Sequence, residues 1–256
     1  MKCGLNLYSL RKLMQTEKEF LSVMQKLKKI GYDYVQFSGA FFAPDVIRRV
    51  SEQSGLPVVL THMPMDRILH DTQRLMEDHA VFGCKNIGLG MMPVEIILDE
   101  KKCKETIAAL NESGRKMEES GFRFFYHHHF FEFFKHGGET VFDYMIRTAP
   151  YINFTVDTFW LQYGGVNVTE FIKKLSGRME CVHLKDYRIE RKETSVHKCE
   201  PNFAPVGYGV MDFTSIVEAM KASGVQYYLV EQDDACDLPD PFGEVEKSCK
   251  FIREQL

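Results

Sequence analysis

No two of the seven cysteines, Cys3, Cys84, Cys103, Cys181, Cys199, Cys236 and Cys249, stand in a CxxC spacing, and their number is odd. A disulfide framework and a zinc knuckle are thereby excluded, and ordinary reduced thiols are expected. Positive charge is not in excess: 32 Lys and Arg against 36 Asp and Glu give a net charge of -4. The basic field that draws in a polyphosphate backbone is missing, so nucleic acid is not an expected partner. No window approaches the ~20 consecutive apolar residues of a membrane span, and the opening MKCGLNLYSLRK has no apolar region long enough for a signal peptide. A cytoplasmic protein without a membrane partner is expected. Neither GxGxxG nor GxxxxGK[ST] occurs, which removes the signature of the open-sheet nucleotide binders.

What is present is a chain of 256 residues, 45% hydrophobic and 27% charged, values of an ordinary globular domain of one core. Its apolar runs are short and continuous, and they alternate with stretches of helical spacing. Cys3 to Tyr8 reads as a strand; Thr16 caps EKEFLSVMQKLKKI, which Gly31 ends; YDYVQFSG (Tyr32 to Gly39) reads as the next strand; Pro44 and Gly55 bracket a second helix. The period continues through a strand over Leu56 to Met63, a helix over Asp66 to Phe82, a strand over Cys84 to Met92 and a helix over Asp99 to Ser120. It runs on through strands from Gly121, Ile152, Glu180 and Gln226 and helices over Thr140 to Ala149, Val168 to Leu175, Phe213 to Ser223 and Gly243 to Glu254, with one long loop from Ile189 to Tyr208. Continuous apolar strands are those covered on both faces, hence parallel. Eight β/α units in ~250 residues predict a single-domain (β/α)8 TIM barrel over residues 1–256.

The strand ends carry the chemistry. GFRFFYHHHFFEF (Gly121 to Phe133) runs from an apolar strand into three histidines and Glu132, INFTVD stops at Asp157, MECVH at His183 and YYLVE at Glu231. In a TIM barrel the C-terminal strand ends share one mouth. Carboxylate, carboxylate, imidazole and carboxylate on successive ends suit one divalent metal ion, Mn, Mg, Co, Fe or Zn. Alternation pairs His127 with His129 on one face and leaves Tyr126 and His128 on the other, aligns His183 with Cys181 and Lys185, and aligns Glu231 with Leu229 and Asp233. His127 and His129, with pKa values near neutrality, are candidate acid/base groups. Lys185 could bind an oxyanion or hydroxyl and His62, at the end of LTHMP, a substrate hydroxyl. Trp160 could form an apolar wall against a sugar face, and Gly207 and Gly209 could shape a loop over the site. The plainer alternatives are satisfied structural histidines, ordinary packing for Trp160 and an exposed Lys185–Asp186 pair.

HHHFFEF, VDTFW, VHLKD, PVGYGVMDF and LVEQD, in this order and spacing, resemble the xylose isomerase-like TIM-barrel superfamily, the sugar phosphate isomerase/epimerase group; YHHH and VEQD are also similar to inosose dehydratases. The resemblance implies a metal held by a carboxylate of the fifth strand, Asp157, His183 and Glu231. The sequence departs at the fifth strand, where His127 stands in place of the glutamate of the sugar epimerases. Either His127 or His129 takes the ligand role, or Glu132 reaches back from the loop, and Glu132 is preferred. The implied activity is isomerisation or epimerisation of a keto-sugar through a metal-stabilised enediolate, with Glu231 and Lys185 beside the reacting carbons. Alternatives are a lyase or dehydratase of a keto-sugar, inosose or 3-keto-glycoside, and a non-catalytic sugar-binding barrel. An endonuclease of the endonuclease IV type would need further metal ligands and a basic surface. A homo-oligomer is compatible with the sequence.

Overall fold

The computed structural model describes residues 1–191 and 199–256. Eight strands, β1 (Gly4–Asn6), β2 (Tyr34–Phe37), β3 (Val58–Met63), β4 (Asn86–Leu89), β5 (Arg123–His127), β6 (Asn153–Asp157), β7 (Cys181–Leu184) and β8 (Tyr227–Val230), lie in sequence order around a closed barrel. Each pairs in parallel with its neighbours, and the pair Gly4–Leu229 and Leu5–Val230 closes the ring between β1 and β8. Residues of β2, β4 and β7 are buried without exception, which is why their sequences do not alternate. The predicted TIM barrel is the fold found.

The helices start and stop where local chemistry dictates. Thr16 and Glu19 form a reciprocal capping box at the start of Glu17–Ile30, and Gly31 ends that helix at φ +116°, a conformation costly for any side chain. The helix expected over Asp66 to Phe82 is two, Met65–His70 and Thr72–Phe82. Asp71 leaves helical geometry at φ −132°, ψ 31° and binds the Arg67 guanidinium at 2.9 Å, while the Thr72 hydroxyl donates to the Ile68 carbonyl at 2.7 Å. The first strand is shorter than expected because Asn6 accepts the Tyr8 N–H and opens a 3-10 turn over Leu7–Leu13. The loop expected over Ile189 to Tyr208 contains a two-stranded antiparallel ribbon, Asp186–Arg191 against Cys199–Ala204; its part at 192–198 lies outside the described residues.

One buried group outside the barrel mouth gives the fold a pH dependence. His79 is 1% exposed; its Nδ1 donates to the Leu75 carbonyl at 2.7 Å and its Nε2 accepts from the Thr61 hydroxyl at 2.8 Å. Burial lowers its pKa to about 4. In the unfolded chain it returns to about 6.5, so between these values the unfolded state binds the extra proton and stability falls as pH falls, by roughly 3 kcal/mol over the whole window. Urea titrations of the protein and of His79→Gln from pH 7 to pH 4 should show that the parent loses stability faster by this amount. Parallel curves would remove His79 as the source.

Candidate metal centre

Side chains two apart on a strand share a face, and the barrel interior is built from that rule. Tyr34, Leu60, Phe125, Cys181 and Leu229 make an apolar layer of their own. Two residues further along the same five strands stand Gln36, His62, His127, His183 and Glu231, the polar layer above it. The intervening residues Val35, Tyr126, Val182 and Val230 belong to the separate core between barrel and helices.

His127, Asp157, His183 and Glu231 each present one atom, and the four atoms lie within 4.8 Å of one another. Asp157 Oδ2 is 3.5 Å from His127 Nε2 and 3.7 Å from His183 Nδ1; Glu231 Oε2 is 3.2 Å from His183 Nδ1. All four side chains are buried, yet His127 Nε2, Asp157 Oδ2 and His183 Nδ1 have no hydrogen-bond partner. Buried polar atoms are expensive to leave unpaired, so three converging on one point mark a place for a cation. The far side of each group is already fixed. His127 Nδ1 donates to the Gly90 carbonyl at 2.9 Å, and His183 Nε2 to Gln36 Oε1 at 2.8 Å, while the Gln36 amide donates to Ser38 Oγ at 2.9 Å. These bonds put the proton on the outer nitrogen of each ring and leave the inner lone pair for a metal. Asp157 Oδ1 accepts the Trp160 N–H at 3.0 Å as cap of the helix Thr158–Tyr163, and Glu231 Oε1 accepts from the Asn6 amide.

The electrostatics point the same way. Burial alone would raise Asp157 and Glu231, but Lys185 and the neighbouring imidazoles hold both below the ordinary carboxylate range. His183 moves up to about 9: burial opposes it, and Glu231 and Asp157 outweigh burial. The cluster therefore attracts positive charge, and two imidazoles with two carboxylates match Mn, Fe, Co, Zn or Mg.

The structure does not bring Glu132 to this cluster. It sits in a 3-10 turn, Phe131–Phe133, where Oε1 accepts the Tyr126 hydroxyl at 2.7 Å and Oε2 the His129 N–H at 2.8 Å. His127 occupies the fifth-strand position instead, which places it among the donors and away from the acid/base role expected of it. His129 lines the same cavity with its ring 4.7 Å from that of His127, and its Nδ1 is unpartnered. His62, at 5.2 Å from the His127 ring, has an unpartnered Nε2. Burial foremost, then nearby His127, lowers both His62 and His129 well below the usual imidazole value, so both are neutral. Lys185 is buried, not exposed: its Nζ lies 2.8 Å from Asp233, 3.1 Å from Glu231 and 3.8 Å from Asp157. Burial would lower it; Glu231 and Asp233 raise it, and it is charged.

Two further expectations are corrected. Trp160 is not part of the cavity lining; it stands behind, 5.0 Å from the His129 ring and under the Lys185 ammonium at 4.9 Å. The Gly207–Gly209 segment does not line the cavity either. Asp186 is buried and receives the backbone N–H groups of Tyr187, Gly207, Gly209 and Met211, so it gathers the loop onto itself. A Cβ at Gly209 would fall 2.2 Å from Asp186 Oδ1, and one at Gly207 would fall 2.3 Å from the Phe251 ring. Asn6 and Gln36 are site residues that sequence reasoning missed, and Asp233, which alternation put on the face of Glu231, was given no role. The available signal was a polar residue on the inner face of a buried strand, as Gln36 is in YVQFSG.

The cavity around the cluster measures about 390 Å³ and opens at the C-terminal strand ends between Tyr8, Phe41, Met91 and Asp233. A wider hollow of about 870 Å³ at the opposite end, lined by Lys85, Arg123 and Glu180, contains none of these groups. No helix among the described residues is long and apolar enough to cross a membrane.

A profile described as xylose isomerase-like TIM barrel matches residues 24–255. An inosose dehydratase of Clostridium beijerinckii is 26% identical over 166 residues, 61% of this chain and 56% of that protein; the chain thus spans little more than half the length of this curated relative. A sugar phosphate isomerase/epimerase from Parabacteroides distasonis superposes with a TM-score of 0.80 at 19% identity, covering 99% of this chain and 94% of the other. A xylose isomerase-like TIM barrel protein from Mycobacterium smegmatis, solved in complex with magnesium, gives 0.72 at 14% identity over 98% and 95% of the two chains.

Proposed function

This chain belongs to the xylose isomerase-like TIM barrel family, and we propose that it is a divalent-metal-dependent sugar isomerase or epimerase that moves a proton at the carbon beside the carbonyl of a keto-sugar. The observation that carries this reading is the convergence of His127 Nε2, Asp157 Oδ2 and His183 Nδ1, all buried and unpartnered, beside Glu231 at the open end of the barrel. These four residues would hold the ion, and a bound divalent cation supplies the Lewis acidity that makes a C–H beside a carbonyl removable near neutral pH.

The rest of the work falls to the chain. The Lys185 ammonium, kept charged by Glu231, Asp233 and Asp157, is a fixed positive charge on the cavity wall, suited to a substrate hydroxyl or developing oxyanion. His129 and His62 are neutral imidazoles with a ring nitrogen unpartnered, so each can hold a proton in transit. His129 is assigned the proton transfer, and His62 a substrate hydroxyl. Cys3, Cys84, Cys103, Cys181, Cys236 and Cys249 are free thiols, which suits work in the reducing cytoplasm. A second reading, loss of water or another group from the adjacent carbon, is supported by the likeness to an inosose dehydratase.

The test is deuterium incorporation from D₂O, followed by NMR, into a panel of keto-sugars and inososes with the Mn²⁺-loaded protein. Exchange with an isomeric product upholds the proposal. Exchange with loss of water or an aglycone moves the protein to the lyases. No exchange together with no retained metal leaves a sugar-binding barrel without turnover.

A further inference from the structure

We propose that a second, apolar cavity beside the metal cluster is a subsite for an apolar substituent of the substrate, so that the keto-sugar is a glycoside with an aglycone the size of an aromatic ring. This rests on the reading above for the sugar half of the molecule.

The cavity measures about 360 Å³ and is lined by Phe37, Phe42, Ile47, Met63 and Phe82 among others. Its position follows from strand alternation. Gln36 and His62 face the barrel interior; Phe37 and Thr61, one residue away, face outward, toward the helices Pro44–Ser54 and Thr72–Phe82. The two cavities adjoin: Ala40, Phe41, His62, Met63 and Pro64 belong to the lining of both. A molecule seated against the cluster therefore meets the apolar cavity across that shared wall. Phe41 on the wall is 90% exposed, so its ring is accessible to a guest that reaches across from the first cavity.

Apart from His62 on the wall shared with the first cavity, the walls of the second make no demand for a polar guest. Thr61 and His79 bond each other, His79 bonds Leu75, and Arg67 is paired with Asp71 and Asp78. The first cavity, for its part, offers little to a phosphate. Among its described lining residues Lys185 is the only lysine or arginine, and that ammonium already faces Asp157, Glu231 and Asp233. Charge on one side and apolar surface on the other select an uncharged sugar with an apolar appendage over a sugar phosphate.

The experiment compares the phenyl and methyl glycosides of one 3-keto-hexose in the D₂O assay, with the parent and with Ala43→Trp. Ala43 is exposed at the mouth of the apolar cavity, so the substitution blocks the entrance without entering a core. A thermal melt checks its fold, and Ile47→Phe, which fills the cavity from the helix side, serves as a second variant. The parent should favour the phenyl glycoside by about tenfold or more in kcat/KM, as burial of an aromatic ring implies, and both variants should bring the ratio near one. A ratio near one in the parent, or one that neither variant changes, overturns the subsite. If neither substrate exchanges, the parent reading has failed, and the subsite is judged by saturation-transfer NMR with phenyl glucoside. Transfer to the phenyl ring that Ala43→Trp abolishes upholds it; no transfer overturns it.

Discussion

Asp157→Asn is expected to fold normally and to lose metal binding and proton exchange together. Asp157 uses its two oxygens for different purposes: Oδ1 caps the helix Thr158–Tyr163 through the Trp160 N–H, and Oδ2 faces the inner nitrogens of His127 and His183. Asparagine keeps a carbonyl oxygen for the cap, which spares the ~0.5–2 kcal/mol that alanine would forfeit. It places an NH₂ group where the anionic ligand stood, removing one charge from the donor set. Affinity for Mn²⁺ should fall by more than the roughly 10–100-fold that outer partners of metal ligands contribute. Titration calorimetry with the chelator-treated protein measures this, and an unchanged melting temperature shows that the cap survived. Wild-type affinity in Asp157→Asn would remove the cluster as a metal site.

Lys185→Met is expected to cost stability, not only activity. Lys185 is 1% exposed and is the ammonium that faces Asp157, Glu231 and Asp233. Methionine replaces the stem and takes the ammonium away from all three carboxylates, leaving the His183 imidazole to face Asp157 and Glu231 and nothing in its place beside Asp233. Removing one partner of a buried ionic group costs about 3–5 kcal/mol, to be read by urea denaturation of the metal-free protein. Mn²⁺ should restore part of the loss, because it brings positive charge to the same oxygens. Asp233→Asn is the control: it removes one carboxylate of three and leaves Lys185 its contacts with Glu231 and Asp157, so its cost should be smaller. Equal stabilities of the two variants would mean that the ammonium does not balance the cluster.

The barrel was legible because its signals are redundant: each strand is a continuous apolar run, and each helix carries its own start and stop. What was misread lies where a single side chain decides the path. Asp71 and Thr72 break a helix whose apolar spacing runs on through them, and nothing in the spacing marks the break. The ribbon after β7 is built from charged and partly exposed residues, DYRIER against CEPNFA; its alternation is short, with Tyr187 and Ile189 facing Phe203 and Pro201, and a proline within it argues against a strand. In the site, alternation correctly put His127 and His129 on one face and His128 with Tyr126 on the other, since His128 bonds the Asp157 N–H from outside the barrel lumen. Alternation has no authority beyond the strand. Glu132 lies in the turn that follows, where the nearest unpaired donors, the Tyr126 hydroxyl and the His129 amide, claim its carboxylate. Asn6 and Gln36 were overlooked because a lone amide in an apolar strand reads as tolerated polarity until its partner on another strand is visible.

In the proposed reaction, the apolar layer beneath the cluster would also set the fate of the transferred hydrogen. Tyr34, Leu60, Phe125, Cys181 and Leu229 are 6% exposed or less, so bulk water reaches the reacting carbon only from above. With substrate seated in the opening, that single route is itself obstructed. A hydrogen lifted onto an imidazole is then held in a dead-end chamber, and its return to the substrate competes with washout by solvent. Product formed in D₂O is accordingly expected to carry less than a full equivalent of deuterium at early times, the shortfall measuring how tightly the chamber is sealed.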